Sequence, residues 1–112
     1  MTQTFTLTKI QSHFNTTNME NIKSQVQAYF DKNAHLYVND FDSMSEENKT
    51  HIVNIGTSII CTQHKIGYAG GSFVQSIVNN DLKGAFGNSD GTNLKAIRFY
   101  LMMIHNMSVV LY

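Results

Sequence analysis

At 112 residues the chain has room for one hydrophobic core and not for two. Charged residues are only 14% of it and the formal net charge is zero, which disfavours generic nucleic-acid binding but leaves room for a local patch, while 42% hydrophobic content excludes a disordered chain. The single cysteine, Cys61, excludes an internal disulfide framework and fits a reducing compartment.

The chain opens with TFTLTKI, where Phe5 and Leu7 alternate with Thr4, Thr6 and Thr8. That period of two predicts a short strand, with the C-terminal VVLY as its candidate partner, or else a frayed or swapped arm. Residues 1–16 are assigned to this arm and 17–112 to a single helical domain. A first helix is predicted over residues 19–33, capped by Thr17 or Asn18 and ended by Asn33. Met19, Ile22, Val26 and Tyr29 or Phe30 give it one buried face. Residues 35–41 form a connector whose Leu36, Tyr37, Val38 and Phe41 plug the core. A second helix is predicted over residues 44–65. Ser43 and Glu46 make a capping box, Ser45 is a rival cap, and Gly67 supplies a left-handed end. Ile52, Ile55, Ile59 and Ile66 trace its stripe, widened by Val53 and Ile60.

The stretch from Gly67 to Asn93 holds six of the seven glycines together with many Asn, Asp and Ser residues. After Gly70-Gly71, Ser72 is the predicted N-cap of a short third helix, with Gln75 completing a capping box and Phe73, Val74, Ile77 and Val78 facing inward. Asn79-Asn80-Asp81 breaks that helix, and Asn80 or Asp81 caps a brief turn through Leu82, Ala85 and Phe86. Asp90 or Thr92 caps the last helix, which runs to about residue 106 with Leu94, Ile97, Leu101 and Ile104 as its core seam. Phe99, Tyr100, Met102 and Met103 make that helix apolar almost all round, which places it at the centre of the core or against another chain. The expected fold is all-α, a compact bundle of four or five helices, with the short terminal two-stranded pair as an optional accessory. The longest apolar region, residues 99–112, is too short and too interrupted to span a membrane, and no basic-then-apolar leader opens the chain. A cytosolic location is expected.

Several residues carry candidate chemistry, each with a plainer account beside it. Gly70, Gly71 and Ser72 place backbone N–H groups at a helix start, where a phosphate or carboxylate can sit; a tight capped turn needs the same residues. Neither a phosphate-binding Gly-Lys-Ser/Thr loop nor a dinucleotide fingerprint is present. Asn80, Asp81, Asp90 and Asn93 offer paired acids or oxygen ligands for a hard cation, yet short polar residues at helix starts are explained by capping. Cys61 and His64 share a helical face without a second metal pair, so no metal site is assigned. Arg98, the only arginine, is expected to form an internal ion pair with a carboxylate such as Asp81 or Asp90, or to bind a ligand phosphate, with Lys83 and Lys95 close in sequence. Met102, Met103 and Met107, with Phe99 and Tyr100, are either core or an adaptable binding surface.

Gly70-Gly71-Ser72-Phe73-Val74, followed by Asn80-Asp81-Leu82, Ala85, Asp90 and Asn93, resembles a segment shared by small, little-characterised proteins of tailed bacteriophages and prophages. The resemblance covers about residues 66–106, and Ser89 stands where that group often has alanine. It implies a phage-related origin and transfers no catalytic residue. Small phage proteins of this class commonly inhibit a host protein or sequester a nucleotide signal.

The resulting expectation is a non-enzymatic, cofactor-free, homo-oligomeric binding protein of the host cytosol, antagonising a host factor in an anti-defence role. Its partner is a host protein or a small nucleotide. For a nucleotide, Gly70, Gly71 and Ser72 would hold phosphate, Asn80, Asp81 and Asn93 would read polar edges, and Lys83 or Arg98 would balance charge. A structural protein assembling through the apolar last helix is the alternative, and a small hydrolase using Asp81, Asp90 or His105 ranks below both.

Overall fold

In the computed structural model the backbone is described for residues 2–109 and side chains for residues 18–109. Five α-helices follow in order: α1 (Thr2–Tyr37), α2 (Glu46–Gln63), α3 (Ser72–Val78), α4 (Leu82–Asn88) and α5 (Gly91–Asn106), with a 3-10 turn at Phe41–Ser43 after α1. The fold is all-α, and no strand occurs among the described residues. The expected N-terminal strand is overturned: α1 runs through residues 5–8 and across the expected arm boundary. A five-residue alternation without a paired partner is a weak constraint, and helix propagates cheaply from a segment already helical. Most of its proposed partner, residues 110–112, lies outside the described residues.

The first helix therefore has no cap at Thr17 or Asn18; Asn18 is fully buried in mid-helix and Met19, expected inside, is 42% exposed. Nor does it end at Asn33, whose amide instead donates to the Tyr29 carbonyl (3.1 Å). Asn18, Ile22, Val26, Phe30, Ala34 and Val38 are all buried, one every fourth residue. A four-residue repeat on a 3.6-residue helix slants across its surface, forming the ridge that packs against a crossing helix. The α1 end is fastened by the Asn39 N–H, which donates to the Lys95 carbonyl of α5 (2.9 Å).

α2 begins at Ser45, whose hydroxyl accepts from the Asn48 N–H (3.1 Å), so the rival cap and not Ser43 is used. Its end is a Schellman closure: the Ile66 N–H donates to the Cys61 carbonyl and the Lys65 N–H to that of Thr62. The left-handed residue of that closure is Lys65 (φ 58°); the expected Gly67, two positions on, is left-handed as well (φ 71°) but lies beyond the closure. Near the middle of α2, a Cβ on Gly56 would stand 3.0 Å from Val26 Cγ1 of α1 and 3.4 Å from Met103 Sδ of α5. The absence of a side chain lets these three helices approach.

An aromatic chain ties the layers together. Phe30 meets Phe41 (5.9 Å between ring centroids) and Phe99 (5.6 Å), Phe99 meets Tyr100 (5.9 Å), and Tyr100 meets Phe73 of α3 (5.7 Å), all near edge-on. The buried face of α5 is Asn93, Ala96, Ile97, Phe99, Tyr100 and Met103. This corrects the expected seam: Ile97 is in it, Ile104 is only partly buried, and Leu94 (49%) and Leu101 (37%) are exposed. Because the helix is apolar nearly all round, its pattern did not fix its rotation. The bulky pair Phe99 and Tyr100 fills the core and turns the leucines outward.

Candidate functional site: an apolar face on α4 and α5

The short helices are set by their caps. α3 starts from Gly71, not from Ser72, and no side chain caps it. The Gln75 amide donates to the Gly70 carbonyl (2.6 Å), and the Ser76 hydroxyl donates to the Ser72 carbonyl (2.9 Å). The Gly70 N–H is taken by Thr62 Oγ1 (2.9 Å), so one of the three amides assigned to a phosphate is already bonded. α3 ends in a second Schellman closure: Asp81 N–H to the Ser76 carbonyl and Asn80 N–H to that of Ile77, with Asn80 left-handed (φ 58°). Asp81 then caps α4 through its carboxylate and the Gly84 N–H (3.0 Å). It closes one helix and opens the next.

Asp90 caps α5 by accepting from the Asn93 N–H (2.6 Å), and its other oxygen stands 3.2 Å from His51 Nε2 of α2. This pair sits at the edge of an open polar cleft of about 590 Å³, lined also by Glu47, Asn48, Asn54 and Thr92. Asn93 is buried, and its Oδ1 accepts from the Tyr100 hydroxyl (2.8 Å). Burial, and after it the Asp90 charge, push the Tyr100 pKa up. Burial likewise raises the Cys61 thiol above its ordinary value of 9.0, away from the thiolate a nucleophile needs. Among the described residues no group of three or more His, Cys, Asp or Glu side chains is placed to hold a metal ion.

Arg98 departs from expectation. It pairs with neither Asp81 nor Asp90; its guanidinium lies over the Tyr37 ring (5.4 Å) on the surface. Lys95 pairs with Asp40 (3.5 Å), and Lys83 is exposed with no ion pair among the described residues. The eight predicted ligand residues are thus dispersed. Asn80 and Asp81 share one depression, with Lys83 nearby on α4; Gly70, Gly71 and Ser72 lie at the other end of α3, about 10 Å along its axis. Asn93 points into the core, and Arg98 leans on α1.

What the geometry does bring together is apolar. Leu82 (53%) and Phe86 (51%) stand one turn apart on α4, both outward, while Ala85 between them is buried. Leu82 and Leu101 border a single depression of about 120 Å³ walled by Ile77 and Ala85. Leu94, Arg98, Leu101 and His105 follow at helical spacing and are all exposed. The sequence reading placed Leu94 and Leu101 in the core and missed this face. The signal available was the surplus of apolar residues on the last helix. No protein family, curated protein or solved structure was found to match this chain. No described helix is long and apolar enough to cross a membrane.

Proposed function

We propose that this chain is a non-enzymatic binding protein of phage type that antagonises a host factor by docking on it through the exposed face of α4 and α5. The observation that carries the reading is the outward turn of Leu82, Phe86, Leu94 and Leu101. Of these, Leu82 and Leu101 border one depression, and large apolar side chains left together in water mark interaction surfaces, whereas scattered ones do not. Of the two binding modes, a protein partner is favoured over a nucleotide. The polar groups that would read a nucleotide have structural duties: Asn93 holds Tyr100, Asp81 caps α4, and Gly70 bonds Thr62. The reading includes action in the host cytosol.

The alternative is a structural protein whose α5 covers its own copy, and the same exposed leucines support it. The test is native mass spectrometry of the tagged protein recovered from bacterial host lysate, beside Leu101→Asp. The expected result is a stoichiometric host protein with the wild type and none with the variant, at unchanged helical circular dichroism. A homo-oligomer carrying no other mass, dissolved by Leu101→Asp, would replace the proposal with the assembly role. A retained nucleotide mass in both would replace it with sequestration.

A further inference from the structure

We infer that α3 and α4 form a flap that opens as one body from a three-helix frame, along a seam that runs through the apolar face. Its bearing on docking rests on the role proposed above; the flap itself does not. The frame is α1, α2 and α5, and it is tied together without the flap. Gly56 of α2 lies against Val26 of α1 and Met103 of α5. Tyr29 and Phe30 of α1 pack their rings on Phe99 of α5. Polar contacts also join these helices or the residues that adjoin them. The Asn39 N–H donates to the Lys95 carbonyl, Lys95 pairs with Asp40, His51 meets Asp90, and the Asn106 amide donates to the Tyr29 hydroxyl (3.4 Å).

The flap is held differently. Its two helices share the closure at Asn80 and Asp81. Toward the frame there is no such link: among the described residues, no hydrogen bond or ion pair joins residues 71–89 to α1, α2 or α5. Apolar burial fastens the flap, through Phe73, Val74, Ile77 and Ala85, with Phe73 edge-on to Tyr100 (5.7 Å). Burial of that kind is non-directional, so the flap can lift without breaking a polar bond to the frame. The last such bond before it is the Gly70 N–H to Thr62 Oγ1. The next residue, Gly71, has open space where a Cβ would stand, which suits a pivot. Segments anchored by few contacts open at a lower free energy than the whole molecule.

The seam between flap and frame crosses the depression beside α5. Ser76, Ile77, Leu82 and Ala85 border it from the flap, and Leu101 borders it from the frame. The exposed apolar side chains divide the same way, Leu82 and Phe86 on the flap, Leu94 and Leu101 on the frame. A partner seated across them would touch both parts and, by mass action, hold the flap shut.

The test is amide hydrogen exchange on the free full chain, wild type beside Val26→Ala in the frame and Ile77→Val in the flap. In the wild type, the amides of α3 and α4 should exchange together and faster than those of α2 and α5. Val26 packs within the frame and stays buried when the flap is open. Val26→Ala should therefore speed α2 and α5 about tenfold, two buried methyl groups being lost, and leave α3 and α4 unchanged. Ile77→Val should speed α3 and α4 about fivefold, because opening the flap exposes Ile77. If Val26→Ala speeds all four helices by one factor, the molecule opens only as a whole and the inference fails. If α4 exchanges fast while α3 stays protected, α4 frays by itself and the single flap is overturned. Neither of those outcomes touches the docking role, which Leu101→Asp tests separately.

Discussion

Gly70 and Gly71 are neighbours in sequence and opposites in environment. A Cβ on Gly70 would meet Val74 Cγ1 at 2.5 Å and Ser58 Oγ at 2.6 Å, whereas a Cβ on Gly71 meets nothing within 4 Å. Gly70→Ala should destabilise the fold by about 1–3 kcal/mol, the usual cost of overpacking a filled site. Gly71→Ala, with backbone φ at −68°, should lie within about 0.5 kcal/mol of wild type. Urea denaturation of the two variants measures the contrast; equal losses would mean that the Gly70 contact with α2 is not what the glycine serves. The residue-level reading of the sequence was right that this stretch is punctuation and wrong about who punctuates. Lys65 and Asn80 take the left-handed closures, Gly71 opens α3, and Ser72 lies inside it. Left-handed positions favour glycine but do not require it, so residue type alone did not locate them.

At the level of elements, caps were more legible than faces. Ser45, Asp81 and Asp90 were all among the predicted caps, because a short oxygen-bearing side chain before an apolar run has a direct mechanism. Asp90→Ala should cost about 1 kcal/mol of stability through loss of the Asn93 contact, while Asp90→Asn should keep most of it. Thermal melts at neutral pH distinguish the two, and equal losses would point to the His51 contact as the larger contributor. The rotation of α5 was not legible, since the choice between Leu94-Leu101 and Phe99-Tyr100-Met103 depends on the cavity left by α1, α2 and α3. His51 was also missed: it lies 39 residues from Asp90 in the chain, and only the packing of α2 beside α5 joins them.

For the whole molecule, the all-α class was readable from period and composition, and the site was not. The core holds two acidic hydroxyl or thiol groups, Tyr100 and Cys61, both kept protonated by burial. Their unfolded values are near 10.0 and 9.0, so below about pH 8 folded and unfolded chains bind the same protons at these sites. Above that range the unfolded chain releases protons that the fold retains, and stability must fall. The urea midpoint is expected to be flat through neutral pH and to decline from about pH 8 upward. Tyr100→Phe should start lower, with Asn93 left unbonded in the core, and should decline less steeply. A midpoint independent of pH to pH 11 would contradict the burial of both groups.

Asp81 donates its N–H to a carbonyl of α3, and its carboxylate accepts the first hydrogen bond of α4. The two helices, seven residues each, are too short to persist alone, and this residue makes each one's end the other's beginning. The expected consequence is that the two helices open as one unit, with amides that exchange with solvent together, as hydrogen exchange would show. Half of the apolar face rides on that unit. In the proposed docking role, the readiness of Leu82 and Phe86 to receive a partner would be governed by a carboxylate that need not touch the partner at all.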